Sequence, residues 1–320
     1  MRPIPPELLT GSFTRTDARR LGVTSRMLQG KRFTRLHQDV WRATIHVMTE
    51  ADWVAAARLA LPDDAHLTGI TRLQRLGLDY GPARPIRFVV DRDHHLALND
   101  VFLHRTKRLP PTDDVGVTVE AAFVAYCARA RLIDAINVGD WLLHHHHTTI
   151  DAIRTFALSC LWRDGADEAV VLLEHLDGRS RSIKESETRS ILRFAGLPAP
   201  EVNAAVDVNE QVEVIGDLVY RRWRTVVEYE GSHHQQDRDR YNADLDRYGL
   251  MRAAEVRYVQ VTKERLARPR TLVGEVYRTL IAGGYDGPPP TFGVRWELLF
   301  RGVSVSVGPK RDRTHRSAVS

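Results

Sequence analysis

Three acidic side chains in one short stretch carry the strongest chemical signal in this chain. The segment Asp217–His234 runs DLVYRRWRTVVEYEGSHH, with β-branched and aromatic runs on both sides of a basic turn, Arg221-Arg222-Trp223-Arg224. Val212–Tyr220 and Thr225–Glu230 read as the strands of a β-hairpin ended by Gly231. Asp217 belongs to the first strand, Glu228 and Glu230 to the second. Residues two apart on a strand leave the same face of the sheet. Three carboxylates gathered in one small area repel each other and raise each other's pKa unless a cation neutralises them. A hard divalent cation with oxygen ligands meets that need, and Mg²⁺ is the expected ion. The plain alternative is an exposed hairpin face of solvated acids.

The flanking residues extend the pattern. Upstream lie Glu185-Ser186-Glu187-Thr188-Arg189 and Gly196-Leu197-Pro198-Ala199-Pro200-Glu201-Val202-Asn203. Downstream lie His233-His234 and Asp239-Arg240-Tyr241-Asn242-Ala243-Asp244. This order resembles an endonuclease-like domain of unknown function related to the very short patch repair (Vsr-like) endonucleases, within the PD-(D/E)XK nuclease superfamily. The resemblance covers about residues 182–283, and GLPAPEVN and VVEYEGSHH are its most specific parts. It implies a restriction-endonuclease-like α/β/α fold and Mg²⁺-dependent hydrolysis of phosphodiester bonds. Asp217 would bridge the metal, Glu228 would be the second ligand and the Tyr229 carbonyl a third. Glu185 would reach the metal directly or through water. His234, which matches the family His better than His233, would supply proton transfer near neutral pH, and Arg240 and Asp244 would face the site.

Two departures weaken the match. Glu230 stands where the superfamily usually carries Lys and the endonuclease-like relatives Asp, so the group that orients water and neutralises phosphate charge is missing. The Gly-Trp that relatives show before the third strand is also missing, since the sequence there is AEVRYVQV. Plainer roles exist for two of the residues. Glu185 would serve as a first-turn acid on the helix dipole, and Arg240 would pair with Asp244 along one helix.

Ordinary elements must position these groups. Ser182 caps a helix to Arg193, Gly196 ends it, and Pro198 and Pro200 stiffen the entry to a strand near Asn203. A helix follows the hairpin over Asp237–Tyr248, then a strand over Arg257–Thr262. Thr262 caps a last helix that runs on both sides of Pro269 to about Ile281. Gly283-Gly284 and Gly287-Pro288-Pro289-Pro290 mark a boundary, and the basic tail Lys310–Ser320 is expected to be disordered.

The N-terminal stretch carries a second signal. Thr16 is positioned to cap a helix over Asp17–Leu21 ended by Gly22, and Thr24 or Ser25 a second one over Arg26–Gln29 ended by Gly30. Two short helices across a Gly turn form a helix-turn-helix pattern, and Phe33–Arg42 alternates like a hairpin wing. Residues 15–35 hold seven Lys or Arg and one acid. Such cations contact phosphates, here Lys31, Arg32 and Arg35, while Ser25, Arg26 and Gln29 are candidates for base edges. FTRTDARRLGVTSRMLQGKRFTRLHQDVWRA is similar to the N-terminal winged-helix domain of AbiEi-type abortive-infection antitoxins. A small helical cap that packs on the middle of the chain is the structural alternative.

The middle, from Glu50 to Gly178, offers scaffold rather than chemistry. Helices are expected over Ala51–Leu61, Leu67–Leu78, Val119–Ala135, Ile136–Leu143 and Ile150–Leu161, and strands over Pro85–Val90 and Val101–His104. Consecutive histidines share no face, so His144-His145-His146-His147 is read as a solvated turn rather than a metal cage, as is His94-His95.

Length and composition bound the rest. At 320 residues the chain has room for two or three cores. Cys127 and Cys160 make no disulfide framework, and no run of 18 apolar residues or signal peptide occurs, so a cytoplasmic protein without a membrane partner is expected. The net charge of +5 and pI near 9.3 favour an anionic partner. The expected organisation is multi-domain α/β: a winged helix-turn-helix at 1–60, a mixed α/β scaffold at 61–180, an endonuclease-like domain at 181–284, and a Pro-rich linker and basic tail at 285–320. The expected function is a DNA-binding, Mg²⁺-dependent endonuclease in defence or repair. A transcriptional regulator of the toxin–antitoxin type, with a protein toxin as partner and a non-catalytic nuclease relic, is the alternative.

Overall fold

A computed structural model describes residues 3–93, 96–209, 212–230 and 249–307. Helices and several small sheets alternate along a chain that folds as two compact units, 1–122 and 123–320. The stretch expected as one middle scaffold is therefore shared between them. Among the described residues no helix is long and apolar enough to cross a membrane.

Unit 1 starts with strand β1 (Ser12–Thr14), then helices α1 (Arg15–Arg20) and α2 (Ser25–Leu28). The cap of α1 is Thr14 rather than Thr16. Thr14 stands three residues before Asp17, so its hydroxyl accepts the Asp17 N–H (3.1 Å) while the Asp17 carboxylate accepts the Thr14 N–H (3.0 Å). Thr16 has Arg19 at the matching position and closes no such box. Thr24 caps α2 through the Met27 N–H. Strands β2 (Phe33–His37) and β3 (Val40–Ala43) form the expected hairpin, and Asp39 at its tip takes a left-handed φ of 60°. β1 adds to the other side of β3. Leu8, Phe13, Ala18, Val23, Leu28 and Phe33 fill the core between sheet and helices.

Helix α3 (Glu50–Ala60), with a second capping box from Thr49 and Asp52, packs against that sheet. Its Ala57 also joins a core with Ile86 and Phe88 of β5 (Ile86–Val90). β5 lies between β4 (His66–Leu67) and β6 (Val101–Arg105). The pairing of His66 and Leu67 with Val89 and Phe88 delays α4 to Gly69–Gln74, shorter than its apolar spacing implied.

Helix α5 (Val119–Cys127) carries the chain into unit 2, followed by α6 (Leu132–His144), α7 (Ile150–Ser159), α8 (Ala166–Leu172) and α9 (Ile183–Phe194). The break between α5 and α6 falls at 128–131 rather than at 135/136, because residues 130–132 bridge to the chain near Gly302. The four histidines end α6 in a tight turn, with His146 at φ 55° and the His145 ring stacked on Trp141 at 4.4 Å. Cys127 and Cys160 are both buried, and burial pushes both thiols up.

The four-stranded sheet of unit 2 has the order β10-β9-β8-β7. β7 (Glu201–Asn209), β8 (Val212–Tyr220) and β9 (Thr225–Tyr229) are antiparallel neighbours, and β10 (Arg257–Val261) runs parallel to β9. Without the Gly-Trp, β10 still seats Val259 and Val261 in the core. Thr262 caps only the short α10 (Lys263–Leu266), and Pro269 starts a separate α11 (Pro269–Ala282), because its ring and missing N–H suit a first turn and not an interior. α9 packs on β8 and β9, and α11 on β9 and β10. Val206, Val214, Val219 and Val226 form a separate cluster with Met251 and Val256, which brings in the helical residues 249–253. Residues 285–307, expected as linker, instead place α12 (Val294–Leu299) against α9 and α6 and α13 (Val303–Val307) against α8. Trp296, Leu299 and Val303 are buried there.

Candidate functional site

The site forms where β8 and β9 part. Their ladder pairs Tyr220, Val219 and Leu218 with Thr225, Val226 and Val227 and then stops. Beyond that point β9 stays on β10, with Glu228 beside Gln260 and the Glu230 N–H bonded to the Val261 carbonyl (2.8 Å). β8 stays on β7. At the fork a side chain replaces the backbone acceptor. The Tyr229 N–H donates to the Asp217 carboxylate at 3.0 Å. Such a bond fixes the carboxylate's orientation. Continuing the same register sets Asp217 against Glu228, whose side chain is only 6% exposed. Glu230 lies just past the strand. Its Oε2 is buried and has no hydrogen-bond partner among the described residues.

Glu185 joins this region indirectly. Ser182 caps α9 as expected, accepting the Glu185 N–H (3.1 Å), and buries Glu185 in the first turn. The Glu185 carboxylate accepts the Arg181 N–H (2.9 Å) and the Asn203 side-chain amide (2.6 Å). Asn203 sits in β7 between the pairs Val202↔Leu218 and Ala204↔Gly216, at the ladder position of Asp217, with a left-handed φ of 47°. Its amide also reaches the Arg179 carbonyl (2.8 Å). Asn203 thus links Glu185 to the strand next to Asp217.

The other two residues of the Glu-Ser-x-x-Arg element turn away from the fork. Arg189 and Asp140 of α6 pair at 2.6 Å with side chains 3% and 0% exposed. Arg189 also reaches the His175 carbonyl, Asp140 accepts the Asp177 N–H (2.7 Å), and Ser186 adds a hydrogen bond to Asp140. Sequence spacing gave no sign of Asp140, 45 residues upstream of Glu185 on a helix that looked like plain scaffold.

The groups at the fork are hard carboxylates, Asp217 opposite Glu228, with an unpartnered Glu230 oxygen two residues further along the chain, and carboxylate oxygens suit Mg²⁺ better than a soft metal. Among the described residues no group of three or more His, Cys, Asp or Glu side chains is placed to hold a metal ion. His234, Arg240 and Asp244 lie outside the described residues, as do His233 and the expected helix Asp237–Tyr248. The Tyr229 carbonyl was expected as a ligand; the contact described is its N–H to Asp217.

In unit 1 the expected nucleic-acid residues lie on α2, the turn after it and strand β2. Ser25, Arg26, Gln29, Lys31 and Arg35 are exposed, and Arg32 is half-buried. Arg35 is steadied by the His37 carbonyl (3.2 Å). Two arginines of this basic run already have acidic partners: Arg15 pairs with Asp39 at the hairpin tip and Arg20 with Asp17 (3.8 Å).

Comparison with protein-family models, with curated proteins and with solved structures gives no match for this chain.

Proposed function

We propose that this chain is a DNA-binding protein whose second unit is a Mg²⁺-dependent endonuclease-like domain, acting on phosphodiester bonds in genome defence or repair. Residues 3–60 act as a winged helix-turn-helix, with α2 as the reading helix and β2–β3 as the wing. The observation that carries the nuclease reading is the fork: Asp217 is fixed by the Tyr229 N–H opposite buried Glu228, and the Glu230 carboxylate two residues on keeps one buried oxygen without a partner among the described residues. Asp217 and Glu228 would hold the ion and Glu230 would complete its charge. When bound, Mg²⁺ supplies polarisation of the phosphate and a water of lowered pKa. The chain's own part is to present anionic oxygens at a rigid sheet end, so that no reorganisation is needed when substrate arrives. Exposed Arg26, Lys31 and Arg35 in unit 1 supply phosphate affinity, and Ser25 and Gln29 stand where base edges would be read.

A second reading, a transcriptional regulator of the toxin–antitoxin type with a nuclease relic, rests on Glu185. Its carboxylate is already bonded to Arg181 and Asn203, as expected of a structural acid.

The deciding experiment is plasmid and oligonucleotide cleavage with Mg²⁺ or Mn²⁺ by the wild type, Asp217→Ala and Glu228→Ala. Metal-dependent cleavage lost in both variants is expected. No cleavage by any of them, with salt-sensitive duplex binding that fails in Arg26→Ala/Lys31→Ala/Arg35→Ala, would establish the regulator instead.

A further inference from the structure

The basic turn of the β8–β9 hairpin has no part in the fork. Arg221–Trp223 form one turn of 3-10 helix and Arg224 follows with a left-handed φ of 44°. This turn docks side by side with the segment before β10. The Arg224 carbonyl accepts the Arg257 N–H (2.7 Å), and the Arg224 guanidinium donates to the Ala254 carbonyl. Five arginines, 221, 222, 224, 252 and 257, are thereby carried on two segments docked side by side at one end of the sheet. Arg221 is neutralised by Glu201, on which its guanidinium makes a forked contact (3.0 and 2.9 Å). Across the two segments 221–224 and 252–257, Glu255 is the one acid. Arg222 and Arg252 are exposed and have no acidic partner among the described residues.

The platform is also stiff. Trp223 packs edge-on against Tyr285 at 5.0 Å, and Gly283 at the end of α11 comes so close that a Cβ there would sit 2.4 Å from the Trp223 carbonyl oxygen. The Arg222 guanidinium lies over the Trp223 ring at 5.7 Å. Clustered guanidinium groups repel one another unless a polyanion supplies the counter-charge, and arginines held on a rigid base lose little entropy in meeting phosphates. At about 3.3 Å per strand residue, Arg221 lies roughly 13 Å along β8 from Asp217. That is about four phosphate steps along a duplex axis.

We propose that the Arg221–Arg224 turn, with Arg252 and Arg257, is a second contact for the backbone of duplex DNA, holding the strand a few nucleotides from the fork. It rests on the nuclease reading, because it takes the fork as the place where the scissile phosphate lies. It also divides binding between units, unit 1 supplying sequence and unit 2 supplying grip near the cut.

The test uses the full chain and its Arg222→Ala/Arg252→Ala variant, titrated by fluorescence anisotropy with a labelled duplex between about 50 and about 200 mM salt. Loss of two phosphate contacts is expected to reduce the slope of log affinity against log salt by about 2, with an unchanged melting temperature. A wild type that binds duplex with a slope and affinity identical to the variant's would overturn this proposal and leave the nuclease reading standing. Failure of the wild type to bind any duplex would overturn both. Preference of the wild type, but not the variant, for polyglutamate over duplex would assign the patch to an acidic protein and sink the proposal.

Discussion

Glu185 and Asn203 meet through a 2.6 Å hydrogen bond that ties the first turn of α9 to β7 at the ladder position of Asp217. The same amide nitrogen also donates to the Arg179 carbonyl (2.8 Å). The helix carrying Glu185-Ser186-x-x-Arg189 and the strand that follows the GLPAP segment are therefore joined by one side-chain pair.

That pair predicts a measurable coupling. A hydrogen bond to a buried carboxylate contributes roughly 1.5–3 kcal/mol, so Glu185→Ala and Asn203→Ala should each lower stability by about that amount. The double variant should cost less than their sum by about 1 kcal/mol or more. Urea unfolding measures both quantities. Additive losses would show that the two side chains do not depend on each other.

The buried pair Arg189–Asp140 should be far less tolerant. Removing one partner leaves an uncompensated charge in the interior, at a cost of about 3–5 kcal/mol. Arg189→Met and Asp140→Leu alone are expected to lose that much, and the pair of changes together to recover most of it. Calorimetric melting of the three variants checks this, and a double variant as unstable as either single one would refute it.

Unit 2 also has a built-in acid limit. Burial holds the His175 imidazole below its ordinary range; Glu174 opposes this, and Arg193, Arg295 and Arg189 reinforce it. A histidine depressed in the folded state gives stability that is complete above the unfolded pKa of about 6.5 and is lost as pH falls through the folded value. Urea midpoints should therefore fall between about pH 7 and the folded pKa, and His175→Gln should flatten that limb. An unaltered slope in the variant would place the limit elsewhere.

Much of this fold was legible in the sequence, and the reasons differ by element. Ser182, Thr24 and Thr262 announced helix starts because an N-cap hydroxyl acts within three residues, a purely local effect. The hairpin Val212–Tyr229 was legible because β-branched runs alternate around a basic turn. What stayed hidden was non-local. The link from Glu185 to Asn203 crosses 18 residues, and the link from Asp140 to Arg189 crosses 49. The burial of Trp296 and Leu299 was masked by a preceding Gly-Pro run that reads as a boundary. The fork itself could not be read, since alternation places Asp217 on a strand without saying where its neighbour departs.

Gly216, one residue before Asp217, sets a steric test of the fork. A Cβ there would lie 2.7 Å from Val226 Cγ1 and 3.0 Å from Val219 Cγ2, closer than packed side chains allow. Gly216→Ala should cost about 1–3 kcal/mol as overpacking. It should also displace Asp217 from the Tyr229 N–H, which amide exchange at Tyr229 would report. A variant as stable as the wild type would mean that the strands yield there.

The clasp near Gly302 has a consequence for how the chain is made. The Leu132 N–H bonds to the Arg301 carbonyl (2.8 Å) and the Val303 N–H to the Ala130 carbonyl (3.0 Å), so the last helices close onto the first turn of α6. Unit 1 has all of its residues once about 122 have left the ribosome, and N-terminal units fold first during synthesis. Unit 2 must wait for Val303 to emerge before its helical layer is sealed. Through that interval the basic unit proposed to bind DNA would already be folded while the half proposed to cut is still incomplete.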